Sequence, residues 1–289
     1  MPFGLSTAAC TFQKAMIVML GELDCVVSYF DDVLIFSNTW KEHMQHIKKV
    51  LETLRASGFT IRPSKTCVGC TSIDFLGHII SASHIKPDPA KTEKIRNLKV
   101  PSTKKEVRSI LGLMNYYRRF VKNFSSLTQP LIELTKETSP NKIRWTHECQ
   151  MEEALTSEPI LRVPDLSKPF VVQSDSSNKA LRAVLLQEHE GSLLPCFYAS
   201  RRLLDREIHY AIMEKETMSI VFALHKFSKY LFMRPFYIQT DNKPLSFLNK
   251  NKERSARLTR WALSIQQSFT VQHISGANNV VSDALSRIY

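Results

Sequence analysis

The chain has 289 residues, 43% hydrophobic and 23% charged, with a formal net charge of +12. That length exceeds one ordinary hydrophobic core and predicts two or three domains, while the composition is that of a globular chain and not a fibrous or disordered one. No apolar run approaches a membrane span and residues 1–20 are not laid out as a secretory signal, so an intracellular chain of cytoplasm or nucleus with no membrane partner is expected; the positive excess points to nucleic acid, the alternative being charge that merely keeps a basic protein soluble.

In chain order, residues 6–20 predict a helix capped by Ser6 or Thr7. "CVVSYF" and "VLIFS" are two apolar, β-branched and aromatic runs that predict a hairpin with Asp31 and Asp32 at its tip. Residues 39–57 form a strong helical pattern, with Met44, Ile47, Val50, Leu51 and Leu54 at three- and four-residue spacing and Gly58 behind them. "FTIRP" and "IDFLGHIIS" predict strands. Cys67 and Cys70 in "CVGC" have the spacing of half a zinc site, but no second pair follows, so ordinary thiols are expected; six scattered cysteines do not make a disulfide framework.

Pro87 and Pro89 mark a boundary, and "STKKEVRSILGLMNYYRRFV" and "SLTQPLIELTK" predict helices after it. Tyr116, Tyr117, Arg118, Arg119 and Lys122 cluster there; basic residues interleaved with aromatics suit a phosphate backbone and its sugars, or else form a solvated helix face over two core tyrosines. From Pro164 the pattern becomes strands, helix, strand, helix, strand, helix, an α/β domain in which "PFVVQSD" and "FYIQTDN" are strands ending in an acid. Two like charges side by side, as in Asp31–Asp32, repel unless a cation neutralises them. Phosphoryl chemistry on nucleic acids uses divalent ions about 4 Å apart, and such hard cations take oxygen ligands.

At "YFDD" the sequence resembles reverse transcriptases, whose palm hairpin carries Tyr-x-Asp-Asp. "MPFGLSTAACTFQKAM" resembles the segment before that hairpin in gypsy-class long-terminal-repeat retrotransposons, "FLGHIIS" their primer-grip hairpin, "LGLMNYYRRFVKNFSSLTQPLIELTK" their thumb, and "RLTRWAL" with "NVVSDALSR" the end of their ribonuclease H domain. The resemblance spans essentially the whole chain. It implies an α/β fold class in three parts: the carboxyl-terminal part of an α+β palm (1–86), a mostly helical thumb or connection (87–163) and a ribonuclease H-like domain with a mixed sheet (164–289).

The same resemblance assigns roles. In the polymerase half, Asp31 and Asp32 match two of three metal-binding carboxylates, Phe3 and Gly4 the wall under the nucleotide sugar, and Tyr29 the hairpin tyrosine near the primer end. The third carboxylate of that family lies on an earlier strand with no counterpart here, so a complementing palm and fingers segment, or self-association, is expected to be needed. Primer extension on an RNA template with the purified chain and magnesium is therefore expected to give no incorporation; incorporation abolished by Asp31→Asn contradicts this.

In the ribonuclease H half, Asp175, Glu216, Asp241 and Asp283 match four acids that hold two magnesium ions, with manganese as a substitute. Ser176, His273 and Asn278 are expected to orient ligands or substrate, and Glu214, two residues from Glu216, points elsewhere on its helix. Ala180 and Arg182 stand where relatives carry glycines, His84 replaces another, and the helix near Met151 is short. The implied function is hydrolysis of RNA in RNA–DNA hybrids, with RNA-directed DNA polymerase activity in the intact relative and primer-template as its partner. The alternative is a non-catalytic nucleic-acid-binding remnant of a decayed element. A phosphatase-like reading lacks a glycine-rich phosphate cradle.

Overall fold

The computed structural model describes residues 7–98, 100–140, 143, 160–240, 256–265 and 270–273. The chain forms two compact units, Met1–Ala82 and Ser83–Tyr289. Among the described residues no helix is long and apolar enough to cross a membrane.

In the first unit α1 (Ala8–Leu20), β1 (Val26–Tyr29), β2 (Asp32–Ile35), α2 (Trp40–Ala56), β3 (Ser72–Phe75) and β4 (His78–Ser81) follow one another. Met16 and Leu20 of α1 and Val50 and Leu54 of α2 recur one helical turn apart and meet Leu23 and Cys25 in a small core. α2 begins at a capping box: the Glu42 N–H donates to Thr39 Oγ1 at 3.3 Å and the Thr39 N–H to Glu42 Oε2 at 3.2 Å. The stretch "IDFLGHIIS" is two strands, β3 and β4, turning at Leu76 and Gly77, whose φ values of +50° and +69° supply the left-handed turn a tight hairpin requires. "FTIRP" makes no strand; Pro63 opens a short 3-10 turn, Pro63–Lys65, instead. Cys67 and Cys70 are exposed free thiols.

In the second unit β5 (His84–Pro87) pairs antiparallel with β6 (Leu161–Arg162). Between them lie α3 (Pro89–Arg96), α4 (Lys104–Tyr116), α5 (Phe124–Leu127) and α6 (Gln129–Leu134). α4 stops at Tyr116, short of the predicted Val121, and Arg118–Phe120 tightens into a 3-10 turn. The tightening carries Tyr117, Phe120, Val121 and Phe124 all into one core with Val107, Met114 and Leu131.

β7 (Phe170–Ser176), β8 (Ala180–His189), β9 (Ser192–Arg202), β10 (Phe236–Thr240) and β11 (Thr270–His273) form a five-stranded sheet in the order β11-β10-β7-β8-β9. β7, β8 and β9 are antiparallel neighbours, and β10 runs parallel to both β7 and β11. The helices α7 (Asp205–Ile208), α8 (Ile212–Leu231) and α9 (Ala256–Ile265) belong to the same unit. Side chains alternate across a strand. Phe170 and Val172 of β7 therefore meet Ile220, Ala223, Leu224, Phe227 and Leu231 of α8, while Val171 joins Val184, Leu186 and Tyr198 on the opposite face. Residues 118–125 pack on that opposite face: Arg118 Nη2 donates to the Ser200 carbonyl at 2.7 Å and the Ser125 N–H to Ser200 Oγ at 3.0 Å. The middle helices and the sheet thus belong to one compact unit.

One ion pair fixes the turn after β9. Arg201 grips Glu207 with two hydrogen bonds, of 2.6 and 3.1 Å, and the Leu204 N–H donates to the same carboxylate at 2.8 Å. Burial by itself raises this carboxyl's pKa; the Arg201 guanidinium and the Leu204 N–H outweigh it and hold the group below its ordinary 4.5. A depressed carboxyl contributes stability that is fully present above the ordinary value and is lost as pH falls through the lower folded value. Glu207→Gln is expected to cost about 1–3 kcal/mol at pH 7, with the difference from wild type shrinking in urea unfolding below about pH 4; a pH-independent difference contradicts the assignment.

Candidate active site

The first acidic site is the β1–β2 tip. Tyr29 faces Asp32 across the hairpin, so Phe30 and Asp31 form its turn, with φ +49° at Phe30. Gln13 of α1, unmarked in the sequence reading, holds the tip: its Nε2 donates to the Ser28 carbonyl at 3.1 Å and its Oε1 accepts from the Phe30 N–H. Asp31 and Asp32 are exposed, and Tyr29 packs edge-on against Phe30 with ring centres 4.7 Å apart. Phe3 and Gly4 lie outside the described residues.

The second site is at the end of β7. Glu216 projects from the first turns of α8 and is only 5% exposed. Ser176, the last residue of β7, donates its hydroxyl to Glu216 Oε1 at 2.7 Å. The helix acid is thereby fixed at the end of the strand that carries Asp175. β10 runs beside β7 with Gln239 opposite Gln173, their side-chain amides joined at 2.8 Å. The strand that leads to Asp241 in sequence therefore lies next to the strand that holds Asp175. Asp241, Asp283 and Asn278 lie outside the described residues, and of His273 only the backbone, in β11, is described. Glu214 turns away from Glu216: its carboxylate accepts from the Ala211 N–H at 3.1 Å and pairs with Arg257 of α9. Among the described residues no group of three or more His, Cys, Asp and Glu side chains is assembled for a metal.

The β7–β8 turn shows how the chain manages without glycine. The Ser177 N–H donates to the Ala180 carbonyl at 2.9 Å and the Ala180 N–H to Ser177 Oγ at 3.0 Å. Pairing runs unbroken from Phe170↔Gln187 to Ser176↔Leu181, and neither Ala180 nor Arg182 has a positive φ. In that register Arg182 stands directly opposite Asp175. Arg182 Nη1 lies 3.5 Å from Asp175 Oδ2, with the two side chains only 10% and 17% exposed.

Residues 1–80 match the reverse transcriptase (RNA-dependent DNA polymerase) family, and residues 165–268 match the RNase H-like domain found in reverse transcriptase. The chain thus carries one segment similar to reverse transcriptases and another similar to their RNase H-like domain. Its relatives include the retrovirus-related Pol polyprotein from transposon 297 of Drosophila melanogaster, 38% identical over 296 residues and covering 100% of this chain and 28% of the relative. The transposon Tf2-3 polyprotein of Schizosaccharomyces pombe is 34% identical over 303 residues, covering 100% of this chain and 22% of the relative. The chain thus spans between a fifth and a third of the length of these relatives. A foamy viral protease-reverse transcriptase solved with double-stranded DNA superposes with a TM-score of 0.82 at 26% identity, over 95% of this chain and 60% of that one. The same kind of protein solved with an RNA/DNA hybrid gives 0.80 at 25% identity, over 95% and 39%.

Within the second unit the basic segment is used partly for packing. Tyr117 is 2% exposed, a core residue, whereas Tyr116 is 52% exposed. Arg118 spends its guanidinium on the Ser200 carbonyl and lies 5.6 Å from the Phe124 ring centre. Arg119 sits 4.9 Å over Phe120, and burial lowers its pKa. Lys122 is likewise shifted down, first by burial and then by the charge of Arg182.

Proposed function

We propose that this chain is part of a gypsy-class retrotransposon Pol polyprotein and that its second unit hydrolyses the RNA strand of RNA–DNA hybrids. The observation that carries the reading is the Ser176–Glu216 hydrogen bond of 2.7 Å, which brings the α8 acid to the end of the Asp175 strand, with the strand leading to Asp241 alongside. Enzymes with reverse transcriptase and RNase H-like domains work with divalent metal ions. Carboxylate oxygens fit such hard cations, and Asp175, Glu216, Asp241 and Asp283 are the residues that would hold magnesium here, manganese serving as a substitute. When bound, the metal pair supplies positive charge that makes water a better nucleophile and stabilises the leaving oxygen.

The chain's own residues do the rest. Ser176 donates to one oxygen of Glu216 and so sets the orientation of that carboxylate. Tyr116, Arg119 and Lys122 serve a phosphate backbone, while Tyr117 and Arg118 hold their segment in place. In the first unit, Tyr29, Asp31 and Asp32, with Phe3 and Gly4, serve the polymerase site of the longer protein, whose partner is primer-template and whose remaining carboxylate comes from another segment or another copy. The functional division is palm to residue 86, thumb to 163 and RNase H beyond.

A second reading, a nucleic-acid binder without catalysis, is favoured by the Arg182–Asp175 pair. Cleavage of end-labelled RNA in a hybrid, titrated with magnesium in wild type and Arg182→Gly, separates them. Metal-dependent cleavage in either protein supports the enzyme; metal-independent binding with no cleavage in both supports the binder.

A further inference from the structure

We infer that Arg182 is a built-in cationic competitor for Asp175, so that this chain takes up divalent metal at the Asp175–Glu216 site weakly while its guanidinium holds that carboxylate. The inference rests on the proposed function above. Its ground is the β7–β8 register, which makes Asp175 and Arg182 direct cross-strand partners on one face of the sheet, and the 3.5 Å between Nη1 and Oδ2 in a place where both side chains are largely buried. An opposite charge this close changes a carboxylate's affinity for another cation much as it changes its affinity for a proton, and two cations at one carboxylate repel each other.

The packing behind Arg182 keeps it there. Arg182 Nη2 lies 3.5 Å from Ser126 Oγ of α5. Its other cross-strand neighbour is Ser200 of β9, itself bonded to the Ser125 N–H and to Arg118. Lys122 on the same segment is close enough to feel the Arg182 charge. The guanidinium thus has a cation and the packed helical segment on one side and Asp175 on the other, and with 8% of Arg182 exposed it has little route to water. Glu216 reaches the same strand end from α8, on the opposite face of the sheet, and accepts a hydrogen bond from Ser176. Arg182 therefore acts first on the one ligand that it faces across the strands, Asp175.

The test is magnesium affinity by isothermal titration calorimetry, with circular dichroism to confirm folding, on the full chain. In an otherwise wild-type background, Glu216→Gln is expected to weaken magnesium binding about tenfold or more. Arg182→Gln and Arg182→Gly are expected to tighten binding at least about tenfold, the lower end of what a neighbouring opposite charge does to a carboxylate, and Asp175→Asn added to either should cancel the gain. If Asp175→Asn weakens binding as much as Glu216→Gln does, and the neutral variants bind like wild type, Asp175 ligates metal beside Arg182; the inference then falls and the proposed site stands. If neither acid matters in any background, the proposed site fails and takes the inference with it. Should both neutral variants unfold, Arg182→Met, which keeps an unbranched apolar side chain without the charge, takes their place with the same two outcomes.

Discussion

Glu216→Gln is expected to lower hybrid cleavage by on the order of a thousandfold or more, the scale seen when one member of a catalytic unit is removed. The substitution keeps size and shape, and the amide oxygen can still accept the Ser176 hydroxyl. What it loses is a hard anionic donor. The effect should fall on the single-turnover rate and not on hybrid affinity, because the 116–122 segment proposed to meet the phosphate backbone packs on the opposite face of the sheet from α8. Thermal stability without metal should hold or rise slightly, since a carboxylate only 5% exposed no longer has to be kept charged. The comparison is best made in the Arg182→Gly background, where Asp175 is released. A loss of less than tenfold there removes Glu216 from the machinery.

Phe227→Ala is expected to destabilise the second unit by about 3–5 kcal/mol, the usual cost of emptying a buried phenylalanine site. Phe227 is 0% exposed, and its ring meets that of Phe197 edge-on with centres 5.8 Å apart. It lies on the same α8 stripe as Ile220, Ala223, Leu224 and Leu231, which seats the helix on Phe170 and Val172. That seating sets the height at which Glu216 meets Ser176, so the variant should also lose cleavage at temperatures where it is still largely folded. Phe232→Ala, at a position 70% exposed, is the control and should stay within about 0.5 kcal/mol of wild type. Chemical denaturation reads both; a Phe227→Ala loss below about 1 kcal/mol contradicts the packing described.

The elements whose periodicity is strong were legible in the sequence. The three- and four-residue spacing in α2 and α8, and the apolar runs that become β1, β2, β7 and β10, report which residues share a face, and the structure builds on those faces. An acid at the end of β7 and another on α8 were likewise legible, because residue type and local motif mark them. What periodicity does not report is a partner distant in sequence. Arg182 is strand-like by pattern; that it stands against Asp175 depends on where the β7–β8 turn falls. The turn residues Ser177 to Ala180 were the available signal, since a hairpin closing there makes positions 175 and 182 opposite. "NYYRRF" continues a helical pattern, yet the helix ends at Tyr116 because Tyr117 and Phe120 enter a core completed by Leu161 and Tyr198, far along the chain. Arg118 reads as a phosphate ligand by composition and serves as a donor to Ser200 because that carbonyl comes within reach only after folding. "FTIRP" has strand composition and, ahead of Pro63, makes none.

The most direct test of the claim that four acids share one site is hybrid cleavage by Asp241→Asn, measured in wild type and in the Arg182→Gly background. β10 runs parallel beside β7, so the strand before Asp241 is already next to that of Asp175. Asparagine preserves size and one acceptor oxygen and removes the charge. Asp165→Asn is the control: its carboxylate accepts the Ser167 N–H at 3.0 Å and hydroxyl at 2.6 Å, a local turn contact outside the site. The account predicts that Asp241→Asn abolishes metal-dependent cleavage while Asp165→Asn leaves it at the parent level. Cleavage that persists at the parent rate in Asp241→Asn would show that the four acids are not the active site.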